Sequence, residues 1–220
     1  CIHSYSLIHD DLPCMDNDKF RRGKPSTHIK FGEASAILAG SSLLTLAFEI
    51  VADEKYNLNS KMKNAIIKFL ASCSGHTGIA GGQELDLKFE NKNKKIYQII
   101  DMQKKKTGKL FNFCLYAVGV IAKRNNKEKI LLSTLGEEIG LLFQFADDFL
   151  DVKGSRKLVG KPIKKDNKKG KSTLLSLMGY EKAHNYANNL KKKILLKLKK
   201  HGKKAKDLSD IIEFILGRNF

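Results

Sequence analysis

Residues 140–151 read Gly-Leu-Leu-Phe143-Gln144-Phe-Ala-Asp147-Asp148-Phe149-Leu150-Asp151, and they close an apolar-rich segment that opens near residue 128. No proline interrupts this stretch, so it predicts a long helix. On a helix, Asp147 and Asp151 are four apart and share one face, and Gln144, three before Asp147, joins them. Phe143, Phe149 and Leu150 point to apolar packing around the acids. Carboxylates gathered on one face repel each other and resist burial, so something must compensate them. Hard divalent cations do this well, and carboxylates with few other ligands suit Mg²⁺ shared with a phosphate.

Upstream lies a second acidic cluster, Asp10-Asp11-Leu-Pro-Cys-Met-Asp16, followed by Asp18 and then Arg21-Arg22-Gly23. One such cluster alone reads as readily as a solvated helix end or an N-cap. Two of them could clamp one diphosphate through bridging metal ions. The adjacent arginines could fork onto phosphate oxygens.

The remaining chain also reads as helices, over 34–52, 60–74, 108–122, 128–151, 173–199 and 207–216. In 60–74, Met62, Ile66, Phe69, Leu70 and Cys73 fall at helical spacing. There is no strand alternation and no Asn-Gly or Asp-Gly hairpin signal. The expected fold class is therefore all-α, with long helices packed as a bundle. Residues 12–33 and 153–171, rich in charge, glycine and proline, predict loops, and each follows an acidic cluster. No repeat or flexible linker divides the chain, and 220 residues suit one domain over 1–220.

Composition narrows the function classes. Hydrophobic residues make up 42% and charged residues 29%, which excludes a disordered chain. No apolar run free of Gly, Ser or charge reaches the ~18–20 residues of a membrane span. Cys1, Cys14, Cys73 and Cys114 form no CxxC pair, which argues for reduced thiols in a cytoplasmic compartment and against a zinc site. The net charge of +18 attracts polyanions, or else reflects a composition rich in Lys, Asn and Ile. Nucleic acid is not the expected partner, because no recognition motif or aromatic platform is visible. The lysines of 191–206 interleave with Leu190, Ile194, Leu195 and Leu198, as on a solvated amphipathic helix. Without tryptophan or a lipidation signal, no stable membrane anchor is expected. The opening Cys1-Ile2-His3-Ser4 carries no signal peptide and reads as the interior of an element, so an N-terminal part is expected to be missing.

The motifs taken together resemble the trans-isoprenyl diphosphate synthases, the polyprenyl synthetase family. SLIHDDLPCMDNDKFRRGKPSTH resembles the family's first aspartate-rich motif and GLLFQFADDFLDVKG its second. Between them, Gly81-Gly82-Gln83-Glu-Leu-Asp86 resembles the GGQ-x-x-D segment, and Lys106-Thr107-Gly108 the K-T-G segment. Gly160-Lys161 and Gly170-Lys171-Ser172-Thr173 resemble the basic loop after the second motif. The motifs occur in the family's order from residue 1 to the Arg218-Asn219 tail.

The resemblance implies a bundle of the isoprenoid-synthase type around a central cavity. It implies that Asp10, Asp11 and Asp16, with Asp147, Asp148 and Asp151 opposite, hold about three Mg²⁺ ions. Arg21, Lys106, Lys161 and Lys171 would hold the allylic diphosphate, and Arg22 and His3 the isopentenyl diphosphate. Thr107 and Gln144 would lie near the developing cation. The implied reaction is ionisation, condensation and elimination, with isopentenyl diphosphate joined to dimethylallyl or geranyl diphosphate in a homodimeric enzyme. Tyr5, five residues before Asp10, reads either as ordinary core packing or as the floor of the product tunnel. The tunnel reading, with the additional Pro13-Cys14 in the first motif, is similar to bacterial farnesyl diphosphate synthases. Product length leaves a geranylgeranyl diphosphate synthase of the same family as an alternative, and the absence of the family's earlier K-x-x-R segment leaves a non-catalytic relative. A terpene cyclase would replace the Asp147-Asp148-x-x-Asp151 pattern.

Overall fold

In the computed structural model, residues 1–153 and 173–217 are described, and they form a helical assembly. Helix α1 (Ile2–Asp10) carries the first acids on its last turn. A long turn leads to two short strands, β1 (Phe20–Arg21) and β2 (Lys24–Pro25), paired antiparallel. The sequence reading expected only loop here. The ladder closes over Arg22 and Gly23, both at positive φ (52° and 74°), the conformation a tight hairpin demands. Arg-Gly is not one of the strong hairpin dipeptides, so the turn left no clear mark.

Helices α2 (Thr27–Phe31), α3 (Glu33–Ala52), α4 (Ser60–Ser74), α5 (Ile79–Phe89) and α6 (Ile96–Gln103) follow. Next come a π-helical turn at Lys104–Gly108, α7 (Lys109–Ile121) and α8 (Asn126–Lys153). The chain closes with α9 (Leu174–Met178), α10 (Tyr180–Lys199), a 3₁₀ turn at Gly202–Ala205 and α11 (Lys206–Gly217). The helices expected at 34–52, 60–74, 108–122, 128–151 and 207–216 are present within a few residues. The single helix expected over 173–199 is divided at Gly179, whose φ of 77° no continuous helix accommodates. Helices α2, α5 and α6 escaped the sequence reading, α2 and α6 because they are short, with α2 inside the stretch read as loop, and α5 because Gly81-Gly82 weakens its helical signal.

Among the described residues two apolar clusters form. The larger gathers Ile99, Leu142, Phe145, Leu174, Ile194 and Ile212 from α6, α8, α9, α10 and α11, all fully buried. Burying side chains of this size stabilises by about 1.5–3 kcal/mol each. The smaller gathers Ile2, Tyr5, Ala47, Leu70 and Ile79 from α1, α3, α4 and α5. The candidate site lies at the seam between them.

Helix α3 corrects one expectation. It is 20 residues long with a mean hydropathy of 1.7, enough by length and composition to cross a membrane. The glycine and serines that seemed to break this run lie inside a continuous helix. Its small residues Ala36, Gly40 and Ala47 pack inward, and α3 lies against α1, α2 and α4 as one member of the bundle. A methyl group on Gly40 would sit 2.2 Å from His9 Nε2, so glycine leaves room for the His9 ring against α3.

Candidate active site

The first acidic motif folds back on the helix it ends. The Asp16 N–H donates to the Asp10 carbonyl at 2.8 Å, and the Asp18 N–H donates to that of Asp11 at 3.1 Å. Asn17 takes a φ of 50° to complete the turn. Acids six and seven residues apart in the chain are thereby placed side by side. Asp11 is 3% exposed, and the guanidinium of Arg21 grips both its oxygens. Arg21 Nε donates to Oδ2 at 2.7 Å and Nη2 to Oδ1 at 2.6 Å. This two-pronged bond is the strongest kind of ion pair available to arginine. Burial works against the Arg21 charge, but Asp11, then Asp10 and Asp16, outweigh it and hold the guanidinium protonated. Arg22, at the hairpin tip, is exposed.

The K-T-G segment forms the π-helical turn. Such widened turns interrupt regular helices and frequently occur at functional sites. Lys106 Nζ donates to Asp86 Oδ2 at 2.7 Å and lies 3.9 Å from Asp16 Oδ2. The GGQ-x-x-D and K-T-G segments are therefore one unit, tied to the first aspartate motif. Close approach makes this possible: a Cβ on Gly82 would stand 2.2 Å from the Lys106 backbone nitrogen. The next residue, Thr107, donates from Oγ1 to Gln144 Oε1 at 3.1 Å. Gln144 Nε2 donates in turn to Asp148 Oδ1 at 3.1 Å, and Asp148 is 4% exposed.

These elements enclose a cavity of about 440 Å³. His3 and Asp10 enter it from α1, Lys106 and Thr107 from the π turn, and Gln144 and Asp147 from α8. The apolar wall comes from Leu7, Ile79, Leu110, Phe111 and Phe143, with the two phenylalanine rings 5.5 Å apart. The sequence pointed to the six polar residues and, within the wall, to Phe143 alone; no spacing rule assembles the rest across the other elements. Asp11, Asp16, Asp148, Asp151, Arg21 and Arg22 stand outside its lining. Lys161 and Lys171 lie outside the described residues.

Tyr5 is buried at 7% exposure on another face of α1, where its ring meets His9 edge-on at 5.4 Å. It lines a neighbouring cavity of about 150 Å³ with Met15, Gln83 and Leu87, and Ser6, Asp10 and Ile79 border both spaces. Burial raises the Tyr5 phenol above its ordinary range, with Asp10 adding to the effect. His3 is exposed as a residue, but partial desolvation first and then the charges of Arg22 and Arg21 lower its imidazole pKa below 6.5.

Among the described residues no three His, Cys, Asp or Glu side chains converge as a closed metal cage. The donors are instead divided across the cavity, with Asp10 on one wall and Asp147 on the other. Divided carboxylate oxygens fit Mg²⁺, which keeps waters and completes its shell with substrate phosphates. The residues present therefore fit the ion that the motifs imply.

Comparison with known proteins identifies the family. The chain is 39% identical over 218 residues to the farnesyl diphosphate synthase of Micrococcus luteus, covering 99% of this chain and 74% of that one. An FPP/GFPP synthase from Zymomonas mobilis superposes with a TM-score of 0.87 at 40% identity, covering 98% of this chain and 72% of that one. A Helicobacter pylori geranyltransferase, solved with magnesium and isoprenyl diphosphate, superposes with a TM-score of 0.86 at 35% identity, covering 99% and 71%. The polyprenyl synthetase family matches residues 1–215, a span that holds both aspartate motifs and every element around the cavity. On that match and these likenesses, the chain belongs to the polyprenyl synthetase family.

Proposed function

We propose that this chain is a trans-prenyltransferase that condenses isopentenyl diphosphate with dimethylallyl and geranyl diphosphates to give farnesyl diphosphate. One observation carries the reading: Asp10 and Asp147, from motifs far apart in the chain, line one cavity with Lys106, Thr107 and Gln144, against an apolar wall.

Asp10 and Asp16 on one side, and Asp147 and Asp151 on the other, would hold Mg²⁺, which when bound neutralises the allylic diphosphate as a leaving group. Both oxygens of Asp11 are held by Arg21 and one oxygen of Asp148 by Gln144, so these two acids serve as positioning residues. Lys106, steadied by Asp86, presents a positive charge to the departing diphosphate. Thr107 Oγ1 and Gln144 Oε1 stand where the allylic cation develops, and the faces of Phe111 and Phe143 add cation–π stabilisation. The double bond of isopentenyl diphosphate, oriented by His3 and Arg22, attacks that cation, and a proton then leaves to the released diphosphate. Holding both reactants in this geometry supplies much of the acceleration. Water is kept from the cation by Leu7, Ile79 and Leu110.

The growing chain would extend past Ser6 and Asp10 into the smaller cavity, where Tyr5 limits its length. A homodimer is supported by the apolar residues that α3 leaves exposed, Ile37, Leu38, Leu46 and Ile50. A single domain acting in the cytoplasm is consistent with the chain's reduced-thiol pattern.

The test is radiolabelled isopentenyl diphosphate with geranyl diphosphate and Mg²⁺. Farnesyl diphosphate is the expected product, with Asp147→Ala lowering kcat at least ~100-fold. A folded, helical protein that forms no prenyl product would overturn the assignment. Tyr5→Ala is expected to lengthen the product, and an unchanged product distribution would remove Tyr5 from chain-length control.

A further inference from the structure

A second cavity in the described structure stands apart from the catalytic one. It measures about 580 Å³ and lies where the α7–α8 turn meets the end of α10 and the start of α11. A volume of this order is typical of small-molecule sites, which span ~300–1,000 Å³. Leu131, Leu132 and Leu135 of α8 form one side, and Leu198, Ala205 and Leu208 the other. Leu131 and Asp147 are separated along α8 by ~24 Å at ~1.5 Å per residue, while on α7 Val118 of the groove follows Cys114 of the catalytic cavity by about one turn, so the two spaces share α7 and α8 but no lining residue.

The mouth carries the opposite chemistry. Arg124, His201 and Lys204 line it, and Lys123, Lys127, Lys200 and Lys203 stand exposed in the same two segments. Among the described residues, Arg124 and Lys204 have no acidic partner within ion-pair distance. The acid on the rim, Glu128, is engaged locally: Asn125 Oδ1 accepts from the Glu128 N–H at 2.9 Å, and Glu128 Oε2 accepts from the Asn125 N–H at 3.4 Å. Bonds to neutral groups leave the Glu128 charge in place, but the cations of the rim outnumber it, so an apolar floor under a net basic rim matches a ligand with one apolar chain and a multiply charged anionic head.

We infer that this groove is a second, non-catalytic binding site for a free prenyl diphosphate, with the chain laid on the α8 and α10 leucines and the diphosphate held by Arg124, His201 and Lys204. The choice of ligand rests on the activity proposed above, which produces that class of molecule. A concave groove suits a single chain better than a bilayer surface, into which a protruding apolar face would insert.

Equilibrium dialysis of labelled farnesyl diphosphate against the whole chain in EDTA tests this, because the carboxylate-based catalytic site then lacks the cations that would hold a diphosphate. The expected result is saturable binding of one equivalent per chain. Arg124→Glu with Lys204→Glu should weaken it at least tenfold, as should Leu208→Glu, while initial condensation rates in Mg²⁺ stay unchanged. Farnesol and inorganic diphosphate should each bind at least tenfold more weakly than farnesyl diphosphate. The rim residues are exposed, so the charge-reversed protein should keep its helical circular dichroism. Absent EDTA-resistant binding, or binding that survives charge reversal, overturns the site. So would sedimentation with vesicles containing phosphatidylglycerol, lost on charge reversal, in a protein that takes up no free farnesyl diphosphate. Condensation without EDTA-resistant binding rejects the groove alone. EDTA-resistant binding with no condensation supports the groove and rejects the proposed activity.

Discussion

The Asp11–Arg21 fork shows how one buried acid is put to use. Arg21 satisfies a carboxylate that is almost fully buried, and a buried charge stripped of its partner is costly. Arg21→Leu is therefore expected to destabilise the fold by about 2–4 kcal/mol, read from urea unfolding. Arg21→Lys should recover part of that, because lysine keeps the charge but cannot grip both oxygens. His3 sets a pH dependence. Its imidazole pKa is lowered in the folded chain, so the unfolded chain binds more protons just below pH 6.5. The stability associated with neutral His3 is present above pH 6.5 and is lost as pH falls through the lowered folded value. His3→Asn should flatten that part of the stability profile, and an NMR titration of the His3 ring should give a midpoint below 6.5 that rises in Arg22→Ala. Cys73 provides a third check. Burial pushes its thiol up to about 11, so little thiolate exists at neutral pH. Iodoacetamide at pH 8 should label the exposed Cys1 and Cys14 while sparing Cys73 until the protein unfolds.

At the scale of elements, the π turn organises the site. Lys104–Gly108 joins α6 to α7 and meets both α5 and α8, so Lys106 reaches Asp86 while Thr107 reaches Gln144. Two glycines permit the approach. Gly82 lets α5 touch the turn, and on the other side a Cβ on Gly140 would stand 2.6 Å from the Gly108 Cα. Backbone atoms oppose both added methyl groups, so a helix must move to make room. Gly82→Ala is expected to cost about 1–3 kcal/mol of stability. It should also lower kcat more than ten-fold, because the shift separates Lys106 from Asp86. A steady-state assay beside a thermal melt checks this, and full activity at reduced stability would deny the turn its role in the site.

At the scale of the molecule, the dominant feature is charge. A formal net charge of +18 repels itself in the compact state. Local pairings relieve part of this, as where Glu138 takes Lys193 at 3.0 Å and Lys197 at 2.6 Å. Salt screens the unpaired remainder more than such close pairs. The melting temperature is therefore expected to rise between 10 mM and 150 mM NaCl. A fall over that range would mean that paired networks, not the excess positive charge, dominate the electrostatics.

The amino-acid sequence alone determined the helical class, the approximate limits of most long helices and the residue types of the site. Its reasons were local: apolar spacing announces helices, and two clusters of acids require compensation wherever they occur. Tertiary structure decided what the acids do. Asp11 and Asp147 are both aspartates of an Asp-rich motif, yet one is buried under Arg21 while the other opens onto the cavity. Spacing could not separate them, because the difference comes from a turn that folds residues 16–21 back over α1. Phe143 was legible beside the acids of its own helix, but the rest of the apolar wall, Leu7, Ile79, Leu110 and Phe111, was equally hidden, since those residues lie on α1, α5 and α7. A cavity is a property of packed helices, and no pattern within one helix records which faces of the others will close it.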